Sequence, residues 1–187
     1  MTHYRFLELT PFVNHKLLAS PDQVNLLREI PGAGIARQFL LKDSLPSIEN
    51  LHVFGIPFHF PDPAGEERDN LVCEGQSLQI VPDNYSSIHI LGLAEWGDFR
   101  ENWLFKCVDG KQIGADLYLL DWSCGSTIWE WEDHSCMVAF KVMNDGGAYQ
   151  YVYYYKSDIP RTEVPITSIT FPFNPNMHLF AVTLQTR

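Results

Sequence analysis

The chain has 187 residues, of which 45% are hydrophobic, 13% aromatic and 19% charged, with a formal net charge of −10. That apolar fraction excludes a disordered tail, and the length predicts one domain over residues 1–187. The acidic balance excludes wholesale binding to a phosphate backbone, which needs clustered Lys and Arg, so no nucleic-acid partner is expected.

In chain order, the N-terminal run Tyr4–Leu9 reads as a short strand. The first residues show neither the positive start nor the apolar core of a signal peptide. No run approaches about 18 consecutive apolar residues, so no membrane partner is expected. A cytoplasmic chain is therefore the expectation. Ser20–Ile30 is the best helical candidate: Ser20 suits a cap, Pro21 the first turn, and Gly32 and Gly34 the stop. Short strand runs follow at Ile56–Phe60, Leu71–Cys73 and Leu78–Val81.

Tyr85–Leu93 is apolar on nearly both faces, as a buried strand is. Trp103–Val108 and Lys111–Leu119 flank Asp109-Gly110, the pair that suits a type I′ hairpin turn. Asn144–Gly147 is a turn before the strand Tyr149–Tyr155. Ser168–Phe171 and His178–Leu184 close the chain, with a break expected at Pro172 and Pro175 because proline cannot donate to a ladder. Many short strands with at most one short helix predict an all-β fold, an antiparallel β-sandwich or jelly roll.

Cys73, Cys107, Cys124 and Cys136 form no C-x-x-C pair, which argues against a zinc ribbon. Free, mostly buried thiols are expected. None of the seven histidines forms an H-x-H. His89 and His178 sit in apolar strands and read as satisfied core or edge residues. His134 with Ser135 or Cys136 is too local to be a persuasive base–nucleophile pair. Asp62, Glu66, Asp69 and Asn70 offer oxygens for a structural calcium ion; the plainer reading has Asp69 and Asn70 bonding nearby backbone amides. No metal or cofactor is expected beyond that calcium option.

The tryptophans carry the most chemistry. Trp96 and Trp103 flank Asp98 and Arg100, and Trp129-Glu130-Trp131 would point both indoles to one strand face. Aromatic faces beside carboxylates and guanidinium suit a sugar, whose C–H face stacks while its hydroxyls hydrogen-bond. The same residues suit a sandwich core, and both readings stay open. Trp122 reads as core.

Several short patterns then occur in order. They are Ile56-Pro57-Phe58, Asp69-Asn70-Leu71-Val72, Gly75-Gln76-Ser77-Leu78, Leu91-Gly92-Leu93-Ala94, Asp109-Gly110, Asp121-Trp122, and Ser168-Ile169-Thr170-Phe171-Pro172 with His178–Leu184. Over about residues 10–186 this resembles the non-catalytic β-sandwich domain of bacterial α-mannosidase-type glycoside hydrolases. The resemblance implies a galactose-binding-like or jelly-roll sandwich without catalytic apparatus. The functional expectation is a carbohydrate-binding or carbohydrate-associated module, its partner a sugar or glycan. The expected ligand residues are Trp96, Asp98, Arg100, Trp103, Trp129, Glu130 and Trp131; no catalytic residue is expected. An assembly domain is the alternative, with Tyr151, Tyr153 and Tyr155 as a homodimer face. A small sugar-acting enzyme using Asp98 and Glu130 stands third.

Overall fold

The computed structural model describes residues 3–60, 68–124 and 136–187. In chain order its elements are β1 (Tyr4–Phe6), β2 (Leu18–Ala19), α1 (Val24–Leu27), β3 (Leu40–Leu41), β4 (His52–Val53), β5 (Ile56–Pro57), β6 (Leu71–Glu74), β7 (Ser77–Asp83) and β8 (Tyr85–Ala94). Then follow β9 (Phe99–Cys107), β10 (Gln112–Leu119), β11 (Cys136–Met143), β12 (Tyr149–Asp158), β13 (Ile166–Thr170) and β14 (Phe173–Thr186).

Two sheets form an antiparallel β-sandwich. One has the order β1-β14-β8-β12-β11, with β6 also paired to β14; the other has the order β10-β9-β13-β7. The predicted helix shrinks to the single turn α1, whose N-cap Gln23 makes no side-chain capping bond. Without a cap and with Gly32 and Gly34 close behind, propagation stops early. The β9–β10 connection differs from the type I′ expectation. Only Gly110 has positive φ, Gly110 N–H donates to the Cys107 carbonyl and Cys107 N–H to Lys111. This is a three-residue loop, a turn followed by a left-handed glycine. The Asn144–Ala148 loop repeats it, with Gly147 N–H on the Asn144 carbonyl. The break expected at Pro172 and Pro175 is only partial. Pro172 lies in the gap before β14, but β14 runs through Pro175, which sits where its register against β6 shifts between Asn174 and His178. An irregular ladder spares proline the bond it cannot make.

The inner faces meet closely. Gly92 on β8 leaves no room for a side chain: a Cβ there would lie 2.6 Å from the His178 carbonyl oxygen and 3.1 Å from Leu119 Cδ1 across the sandwich. Gly92→Ala is expected to cost about 1–3 kcal/mol by overpacking, read as a lower urea midpoint at unchanged slope.

A third, mostly irregular layer covers the other face of the six-stranded sheet. Leu17, Leu18, Leu40, Leu51, Phe58 and Phe60 are buried with the sandwich core in one cluster. Phe60 stacks on Phe180 with ring centroids 5.3 Å apart, and the Thr183 hydroxyl donates to the Pro57 carbonyl at 2.8 Å. The expected tyrosine surface is covered, by the opposing sheet on one side and by this layer on the other. Tyr153 and Tyr155 pair with Gly92 and Ile90 and face the sandwich interior, while Tyr154 faces the added layer; all three are buried.

Candidate functional site

The turn between β8 and β9 carries the most exposed tryptophan among the described residues. Trp96 is 73% exposed and has φ +64°. A bulky residue in the left-handed region is strained by about 1–3 kcal/mol and persists only when its surroundings fix it. Here they do. Asp121 Oδ2 accepts from Gly97 N–H at 2.8 Å, and Asp98 Oδ1 accepts from Asp121 N–H at 2.7 Å. Asp121 Oδ1 accepts from Ser123 N–H at 2.9 Å. Ala94 N–H donates to the Leu120 carbonyl, Trp122 N–H to the Ala94 carbonyl, and the Tyr153 hydroxyl to the Asp121 carbonyl. The two carboxylates are thus scaffolding that aims Trp96 outward.

Beneath this turn runs a chain of buried and half-buried polar side chains. Glu95 Oε1 lies 3.4 Å from His178 Nε2, and His178 Nδ1 lies 3.0 Å from Asn70 Oδ1. Asn70 Nδ2 donates to Asp69 Oδ1 at 3.0 Å and faces His15 Nδ1 at 3.2 Å. Asp69 also accepts from the Leu17 and Leu18 amides and pairs with Lys16 Nζ at 2.9 Å. These bonds fix the protons. A carboxylate only accepts, so the Asn70 amide must turn its NH₂ to Asp69 and its oxygen to His178. His178 therefore carries a proton on Nδ1. His15 Nδ1 receives the Asn70 N–H, so neutral His15 holds its proton on Nε2. Burial, and then the neighbouring His178, push the His15 pKa down to about 4.

A second buried histidine lies on the same sheet face. His89 Nδ1 is 2.8 Å from the Tyr154 hydroxyl, and its Nε2 is 3.0 Å from Ser87 Oγ and 3.2 Å from Gln185 Oε1. Burial lowers its pKa. Both strand histidines are satisfied core residues, as the sequence reading expected.

The other expected ligand residues do not all join Trp96. Trp103 is 0% exposed, mid-strand in β9, its ring 4.8 Å from that of Phe171. It is a core residue: β9 starts at Phe99, which places Trp103 well inside the strand rather than at a loop. Arg100 and Asp116 pair at 2.5 Å across β9 and β10, both on the outer face of the four-stranded sheet. Trp129, Glu130 and Trp131 lie outside the described residues, as do Asp62, Glu66 and the His134 run. Asp69 is committed to backbone amides and Lys16, which takes it out of the calcium set, and it is fully buried rather than in a solvated turn. Those amides are not nearby, however: they lie 51 and 52 residues back along the chain. Among the described residues no group of three or more His, Cys, Asp or Glu side chains is placed to hold a metal. Cys73, Cys107 and Cys136 are buried free thiols, and Cys124 is exposed.

Glu95, His15 and their link through Asn70 and His178 were not legible beforehand. The partners stand 55 and 108 residues apart, and no local pattern announces such pairs.

Residues 37–187 match the family model of the AziU2-like beta-sandwich domain, and the chain belongs to that family. No curated protein matches the sequence.

Proposed function

We propose that this member of the family is a carbohydrate-binding module with no catalytic centre of its own, and that Trp96 is its stacking platform. The observation that carries the reading is an indole held in strained left-handed backbone and 73% exposed, on a turn whose carboxylates are spent on holding it. Strain kept in an exposed aromatic is a cost without a folding return, which motivates a binding role. A flat indole offers the C–H face of a sugar a partner, and Glu95, the residue before it, brings a carboxylate that accepts hydroxyl donors. The sequence resemblance to sandwich domains of glycoside hydrolases supports the same class. The homodimer alternative is weaker, because Tyr153 and Tyr155 of the face proposed for it are buried and Tyr151 is half-buried.

Tryptophan fluorescence titrated with mannose, galactose and their oligomers tests this. Trp103 and Trp122 are buried, so the acrylamide-quenchable, red-edge emission of the described tryptophans belongs to Trp96. A binder is expected to protect that emission, and Trp96→Ala to weaken binding by about tenfold or more. Silence across the set in folded protein, or undiminished binding by Trp96→Ala, overturns the reading.

A further inference from the structure

We propose that His15, Asn70 and His178 form an acid-operated clasp that docks the segment 14–18 onto the sandwich when His15 is neutral and releases it when His15 is protonated. The clasp joins two parts of the chain. His15 and Lys16 lie before the family-matched span, whereas Asn70, Asp69, Glu95 and His178 lie within it.

The lock follows from proton positions. Neutral His15 accepts the Asn70 N–H at Nδ1. A protonated His15 would oppose N–H to N–H at that contact. Asn70 cannot flip to repair this, because its oxygen would then face the Asp69 carboxylate and its NH₂ would face the His178 donor. The second obstacle is His178, whose ring centroid lies 4.9 Å from that of His15. At that distance His178 disfavours a charge on His15. Around His15 the facing groups are His178 from β14, Asp69 and Asn70 before β6, Glu95 at the end of β8, and Lys16 on its own segment. Asp69 and Glu95 attract a charged His15, but Asp69 is already paired with Lys16 and Glu95 lies beside His178. His15 is half-buried, so solvent protons reach it.

The sign is set by the direction of the shift. His15 has a pKa of about 4 when docked, against 6.5 when free. The released segment binds more protons between those values, so docking is intact above about pH 6.5 and weakens as pH falls to 4. Between pH 7 and pH 4.5 the docking equilibrium is expected to fall about 60-fold.

Amide hydrogen exchange on the full chain reads this locally. The Leu17 and Leu18 amides, which donate to Asp69, are the reporters, and the Ile90 amide in β8 is the reference. Protection at Leu17 and Leu18 is expected to lie below that of Ile90 and to drop about 60-fold from pH 7 to 4.5, and His15→Gln, which keeps a neutral acceptor, is expected to abolish the drop. Protection at Leu17 and Leu18 equal to that of Ile90 at pH 4.5, or a drop that persists in His15→Gln, overturns the clasp. Should His15→Gln fail to fold, imidazole nitrogen NMR of the unsubstituted chain decides. His15 is expected neutral with its proton on Nε2 at pH 6; a cationic His15 at that pH, or a proton on Nδ1, overturns the clasp.

Discussion

Asp69→Ala is expected to lower the unfolding free energy by about 3–5 kcal/mol, the largest loss for any single polar residue described. Asp69 is fully buried and serves four donors: the Leu17 and Leu18 amides, the Asn70 side chain and Lys16 Nζ. Removing it takes the carboxylate away from a buried ammonium and leaves two backbone N–H groups without their acceptor, and each loss costs desolvation. Against a total stability of about 5–15 kcal/mol that is at least about a fifth of the fold. For a chain of this size it corresponds to a fall of roughly 6–20 °C in Tm. Asp69→Asn should cost less, because one carbonyl oxygen still accepts an amide, but Lys16 then faces a neutral partner. Adding Lys16→Met to Asp69→Asn should recover part of the loss, since an apolar replacement for a buried ion pair is often near neutral. Urea unfolding of the two single variants and the pair measures the coupling. A cost below about 1 kcal/mol for Asp69→Ala would mean that water reaches Lys16 and the two amides.

The sandwich itself was largely legible. Tyr85–Leu93 reads as a strand buried on both faces, and β8 is one, with the four-stranded sheet against one face and the N-terminal layer against the other. The glycine turns after Cys107 and Asn144 marked both hairpins, although the loop type differed. Double burial also misled. Alternation along Tyr151, Tyr153 and Tyr155 suggested an exposed stripe, but a sheet covered on both sides buries consecutive tyrosines, so parity no longer separates inside from outside. The strand β11 left no distinct punctuation and was missed. The Glu95–His178–Asn70–His15 chain was illegible for a different reason: it is made by the topology, which brings together four segments that share no local signal.

The two described tryptophans that flanked Asp98 in the sequence reading should now respond in opposite ways. Trp103→Ala is expected to cost about 3–5 kcal/mol, because it empties a fully buried site against Phe171. Trp103 Nε1 is buried without a hydrogen-bond partner among the described residues. Trp103→Phe removes that orphaned donor along with some volume, so its cost should be small, about 1 kcal/mol. Trp96→Gly should instead stabilise the chain by roughly 0.5–1 kcal/mol, since glycine adopts the left-handed backbone without the penalty that tryptophan pays at φ +64°. Urea titration of Trp103→Ala, Trp103→Phe and Trp96→Gly, with the sugar titration repeated on the last, separates the roles. If Trp96→Gly is destabilising by 1 kcal/mol or more, the indole is part of the fold and the stacking role falls; if it stabilises and sugar binding is lost, the strain is there to present the ring.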